Sequence, residues 1–280
     1  MRRWSTLNGC MLALLAVLAV AGFPNSGHAA AGDPLLDYGA DLVSDYVSRG
    51  VDLFVSKYDK DKKEHGVFNS APAIQPYLTL HGPSGLGFGL WGSFALVDRK
   101  DDPQAGFSGL RKLDEIDYTL FWDWKNKLGG FSAGLAAYTN PNLGAQFAYD
   151  EMYLRWAAPF MAAVSPTITH YVVVASPASI PVPGSSYTVL AFSGGEAVTW
   201  KLGIGRSDYL QDVTAAIGKA FGSVSATFNV TYRPTPQIVN GPNQASTYDE
   251  KGHYKVNNVE KSYPKAIAWL TFSYTGSVTE

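Results

Sequence analysis

Val224-Ser225-Ala226-Thr227-Phe228-Asn229-Val230-Thr231-Tyr232-Arg233 alternates apolar and polar residues without an exception. In an extended chain Val224, Ala226, Phe228, Val230 and Tyr232 share one face, and Ser225, Thr227, Asn229, Thr231 and Arg233 share the other. Successive side chains of a strand point to opposite faces, so this is a period of two and not of 3.6. Ile116 to Trp124 (IDYTLFWDW) reads the same way. Ile116, Tyr118, Leu120, Trp122 and Trp124 oppose Asp117, Thr119 and Asp123, with Phe121 the one exception.

Working outward from these two stretches, the pattern recurs along the chain. Leu86, Phe88, Leu90, Phe94 and Leu96 alternate with Gly87, Gly89, Ser93 and Ala95, Trp91 being out of phase. Met152, Leu154 and Trp156 alternate with Glu151, Tyr153 and Arg155. Val198, Trp200, Leu202 and Ile204 alternate with Thr199, Lys201, Gly203 and Gly205, and Ala268, Leu270, Phe272 and Tyr274 with Trp269, Thr271 and Ser273. Residues 73–81, 166–175 and 185–193 carry weaker versions, the first interrupted by Pro76, which cannot donate to a ladder. With a first strand over Asp41–Val51, about twelve strands are expected and no amphipathic helix of three turns or more.

The connections alternate long and short. Val51–Ser70, Asp98–Arg111 and Thr235–Lys261 are long; Gly82–Gly85, Gly194–Glu196 and Gly222–Ser223 are short. A soluble β-sandwich has no reason to sort its loops by parity, whereas a transmembrane antiparallel barrel has short periplasmic turns and longer outer loops. Lipid offers no water to backbone groups, so such a sheet must close on itself. The expectation is all-β: an outer-membrane β-barrel over 31–280. Trp122, Trp124, Trp156, Tyr232 and Tyr274 are candidates for its interfacial girdles, and Gly87, Gly89, Gly203, Gly205 and Gly218 for its crowded interior.

The first thirty residues read as an export signal. Arg2 and Arg3 precede the apolar run Met11–Phe23, and Ala29-Ala30-Ala31 offers a small-residue cleavage site. The run is short for a spanning helix, which needs roughly 20 apolar residues. Loss of 1–30 leaves 20 basic and 24 acidic residues and no cysteine, which gives no electrostatic reason to expect nucleic acid as a partner and no disulfide. The expected surroundings are outer-membrane lipid, in a Gram-negative bacterium.

The stretch DLVSDYVSRGV, Asp41 to Val51, resembles the signature near the mature N-terminus of the TorF-type porins, a bacterial outer-membrane family. Ser44, Asp45, Tyr46, Arg49 and Gly50 match its Ser-Asp-Tyr-x-aromatic-Arg-Gly pattern; Ser48 stands where that family usually carries phenylalanine. EIDYTLFWDW, YDEMYLRW and DVTAAIGKAFGSVSATFNVTYRP are similar too. The resemblance implies an outer-membrane barrel that conducts small solutes, and no particular substrate. The usual terminal aromatic is missing, since Phe272 and Tyr274 are followed by TGSVTE.

Charge is costly in hydrocarbon, so the strand charges are expected to face the lumen. These are Asp41, Asp45 and Arg49 on the first strand, Asp117 and Asp123 on the fourth, Glu151 and Arg155 on the sixth, and Lys201 on the ninth. They set ion selectivity if the lumen is open, or fill it as an ionic network if it is not. No cofactor, metal site or catalytic group is expected. Gly87–Gly92 satisfies G-x-G-x-x-G without a following helix, and His65, His81, His170 and His253 lie near no G-x-S-x-G elbow. The charge run Lys57–Glu64 reads as a solvated loop. Passive or weakly selective solute passage leads; a non-conducting binding or adhesion barrel and a lipid-acting enzyme remain as competing readings.

Overall fold

Twelve antiparallel strands close into a barrel in a computed structural model that describes residues 34–49, 51–52, 72–82, 84–96, 114–141, 148–159, 164–177, 183–207, 211–233, 246–248, 254–256 and 266–279. The barrel strands are β1 (Pro34–Val43), β2 (Ala73–His81), β3 (Leu86–Ala95), β4 (Glu115–Asn126), β5 (Gly129–Thr139) and β6 (Tyr149–Ala157). They continue as β7 (Thr167–Ala175), β8 (Ser186–Gly194), β9 (Thr199–Arg206), β10 (Gln211–Phe221), β11 (Val224–Tyr232) and β12 (Ala266–Thr279). Each strand pairs with its neighbours in sequence, and β1 pairs with β12 to close the ring. Residues 1–30, expected to be an export signal, and the charge run Lys57–Glu64 lie outside the described residues.

Period-two alternation places the two faces as a closed sheet demands. In β4, Tyr118 and Leu120 are exposed on the outer wall, level with Leu90 and Phe88 of β3. The same wall carries Leu154, Ile168, Ile204, Ile217, Phe228, Leu270 and Phe272, all exposed. Phe121, out of phase in the sequence, is buried inside, edge-on to His81 with ring centroids 5.8 Å apart. It fits because Gly87 lies opposite it, where any Cβ would collide with the Phe121 ring.

The aromatic residues at one rim form a girdle. Trp122 stacks on Trp124 at 4.7 Å, and Trp124 on Phe131 at 5.3 Å. The Trp122 and Trp156 indole N–H groups donate to the carbonyls of Ser84 (3.0 Å) and Leu128 (2.8 Å) in the short turns. An amphipathic ring with its polar tip turned to the rim suits a membrane–water interface.

Two expectations need correction, while the strand expected over 73–81 is present as β2 with Pro76 inside it. The first strand is Pro34–Val43 and not Asp41–Val51, because the chain leaves the sheet at Ser44 and turns at Arg49, whose φ of 49° is incompatible with a strand. The last strand does not stop near Tyr274. It runs to Thr279, with Gly276, Ser277 and Val278 opposite Tyr38, Asp37 and Leu36. Pro76 does sit in a strand with neighbours on both sides, and the β2–β3 pairing skips from Ile74↔Phe94 to Tyr77↔Trp91 around it. The skip is where the missing N–H leaves its mark.

Loop lengths sort by rim, with two departures. The short turns 82–85, 127–128, 195–198 and 222–223 share one rim with both described ends of the chain, and 158–166 there is longer. The opposite rim carries 44–72, 96–114 and 233–265, with 207–210 short. Of Thr235–Lys261 the structure describes only the paired segments Ser246–Tyr248 and Tyr254–Val256.

Candidate functional site

The interior at the long-loop rim is crossed by the chain that follows β1. Ser44 anchors it: its N–H donates to the Leu270 carbonyl and its Oγ accepts from the Leu270 N–H, both at 2.9 Å. Beyond this anchor Asp45 is fully buried and Tyr46 nearly so. Tyr46 joins a small apolar knot of Val43, Ala73 and Ala95, with its ring 5.6 Å from Trp91. Its hydroxyl donates to Glu115 at 2.9 Å. Val47–Ser48 and Val51–Asp52 then pair with each other and not with the wall.

Arg49 reaches the far wall. Its guanidinium makes a two-pronged pair with Glu151 of β6, Nη1 donating to Oε1 at 2.8 Å and Nη2 to Oε2. The planar fork of arginine matches a carboxylate in this way, and charge-assisted pairs are the stronger kind of hydrogen bond. The same guanidinium lies over the rings of Tyr171 (4.9 Å) and Tyr187 (4.8 Å) on β7 and β8, an arrangement worth about 1 kcal/mol at a partly exposed site. The left-handed backbone at a non-glycine residue costs about 1–2 kcal/mol, which these contacts offset.

An arc of tyrosines lines the wall that Arg49 faces. Tyr138 and Tyr149 stack at 4.4 Å, while Tyr153, Tyr171 and Tyr187 stand at 6.0 and 6.3 Å from ring to ring. Their hydroxyls are tied to the interior, Tyr187 to Asp212 at 2.6 Å and Tyr153 to Ser132 at 3.3 Å. Thr214 bonds both Asp212 (3.3 Å) and Thr231 (3.0 Å), and Arg233 is fully buried just beyond β11.

Beside the inward segment a cavity of about 320 Å³ remains. Asp41, Asp45 and Asp117 line it, together with Gln75, Ser48, Thr271 and the aromatic rings of Tyr46, Trp91, Tyr138 and Trp269. Gln75 donates to Ser93 at 3.2 Å across β2 and β3. Among the described residues no Lys, Arg or His lines this space.

The eight charges singled out in the sequence therefore fall into three groups. Asp41, Asp45, Arg49, Asp117 and Glu151 gather around the inward segment at the long-loop rim. Asp123 and Arg155 lie in one inward row across β4, β5 and β6, each opposite Ser132, near the short-turn rim. Lys201 stands apart on β9, opposite Ser193 and Ala216. These last three side chains are exposed to the lumen. Asp45 and Arg49 reach the interior as loop residues and not as strand residues.

Sequence reasoning missed Glu115, Asp212 and the tyrosine arc. Asp212 and Glu115 sit at strand ends with inward parity, a signal that was present but weak. His81 pairs with Asp37 at 3.0 Å at the short-turn rim, and His170 Nδ1 lies 2.8 Å from Thr188 Oγ1 on the outer wall. His65 and His253 fall outside the described residues.

No protein-family model matches the chain and no curated protein matches it, so the TorF-type resemblance stands on its quoted motifs alone. Among solved structures, one described as "KdgM porin" is similar at a TM-score of 0.45 and 9% identity, covering 85% of this chain and 97% of that one.

Proposed function

We propose that this chain is an outer-membrane channel for passive, weakly selective passage of small solutes, with a preference for cations. The closed ring with an apolar outer wall and a polar interior supports the membrane setting, since no other sheet leaves every backbone group satisfied in lipid. The observation that carries the preference is the cavity at the long-loop rim, lined by Asp41, Asp45 and Asp117 and, among the described residues, by no cationic side chain. Carboxylates beside a water-filled passage concentrate cations and repel anions. Glu151 does not add to this field, because Arg49 neutralises it.

The test is electrical. Purified protein in a planar bilayer is expected to give discrete unitary currents, and in a KCl gradient a reversal potential of the sign that marks potassium as the more permeant ion. Folded protein that leaves the bilayer silent overturns the reading. It would favour instead a non-conducting barrel closed by the Arg49–Glu151 pair.

A further inference from the structure

We propose that residues 45–49 are a plug hinged at Ser44, latched across the lumen by Arg49 on Glu151, that swings away from the wall to widen the passage. The inference rests on the passage reading for its functional meaning.

The barrel does not need this segment in order to close. β1 pairs along Leu36–Val43 with both β2 and β12, so the ring is complete before Ser44. The backbone after the anchor bonds to itself, Val47 with Asp52 and Ser48 with Val51. Its departure would break no rung of the barrel ladder. The two bonds between Ser44 and Leu270 mark where the fixed chain ends.

Side chains hold the segment in place: Asp45 is fully buried, and Tyr46 packs into the knot of Val43, Ala73 and Ala95. Two polar contacts reach opposite walls, Tyr46 to Glu115 on β4 and Arg49 to Glu151 on β6. The arginine adds its faces over Tyr171 and Tyr187. The Arg49–Glu151 pair can exchange its partners for water, because both states satisfy its charges. Arg49 is partly exposed while Glu151 is fully buried, so water reaches the latch from the arginine side. The cavity next to Ser48 leaves the segment unpacked on one flank.

The experiment uses thiol accessibility in the full chain. Its sole cysteine is Cys10, so Ser48→Cys is made in a Cys10→Ser background and refolded into phosphatidylcholine vesicles. Modification by a bulky, membrane-impermeant maleimide is timed with Arg49 intact, with Arg49→Ala, with Glu151→Gln, and with the exchange Arg49→Glu/Glu151→Arg. Heat-modifiable gel mobility confirms that each variant is a closed barrel, and Glu151→Gln keeps the side-chain volume should Arg49→Ala fail to fold. Either single variant is expected to speed labelling about tenfold, and the exchange to slow it again. Equal rates with and without Arg49 in intact barrels overturn the plug.

Conductance measured on the same proteins separates the two readings. Unitary currents with unchanged labelling sink the plug and leave passage standing. A silent bilayer with accelerated labelling does the reverse.

Discussion

Tyr187 donates its hydroxyl hydrogen to Asp212 directly over Gly205, leaving no room there for a side chain. The three residues belong to adjacent strands β8, β9 and β10, so the contact is a cross-strand bond made possible by a missing Cβ. Gly205→Val is expected to push the tyrosine off Asp212, with an overpacking cost of about 1–3 kcal/mol. Tyr187→Phe keeps the ring and removes only the donor, for about 1–3 kcal/mol from the buried carboxylate. Urea unfolding from vesicles, followed by tryptophan fluorescence, reads both. Two wild-type-like curves would mean that the bond does not form.

The two faces of β4 give a paired test of the barrel itself. Leu120 points outward and is exposed, and its neighbour in sequence Thr119 points inward opposite Gly89 and Ala136. Leu120→Arg is expected to destabilise the membrane-inserted state by about 2–4 kcal/mol, as charge on a lipid-facing wall does near the midplane. Thr119→Arg, one residue away, is expected to cost far less because it enters a wet interior. Equal costs at the two positions would remove the lipid-facing assignment.

Selectivity should respond residue by residue. Asp117→Asn and Asp41→Asn each take a carboxylate from the cavity lining, and each is expected to move the reversal potential in a KCl gradient toward zero. Lys201→Glu, on an exposed inward position of β9, is expected to move it the other way, deepening the cation preference. Unchanged reversal potentials in all three would confine these charges to packing.

The girdle residues make a smaller claim on stability. Trp156→Phe keeps the aromatic face and removes the N–H that reaches the Leu128 carbonyl. The expected loss is about 0.5–1.5 kcal/mol, the net worth of one hydrogen bond, in the same urea titration. A loss as large as that of Leu120→Arg would show that the indole does more than tether the turn.

Most of the wall was legible because one rule governs it: each strand turns every second residue to the outer wall. That rule put Leu120 outside and Asp117 inside from sequence alone, and it correctly isolated Phe121, whose place inside depends on Gly87. It failed at the two ends of the sheet. In β1 the inward positions are Asp37, Gly39, Asp41 and Val43, a mixture that blurs the alternation, and the motif at Ser44–Gly50 drew the strand toward itself. In β12 the small residues Gly276 and Ser277 hid a continuing ladder. The inward segment was illegible for another reason. Its latch joins residues 102 positions apart, and no local period encodes a contact of that range.

The seam between β1 and β12 joins Leu36–Val43 to Thr271–Val278, the first described strand to the last. No part of the ring can be sealed before the final fourteen-residue strand has been made. A chain that stops short of β12 leaves the edges of β1 and β11 unpaired. Closure of this ring therefore waits on the tail of the chain, and until then its open edges are templates for clumping.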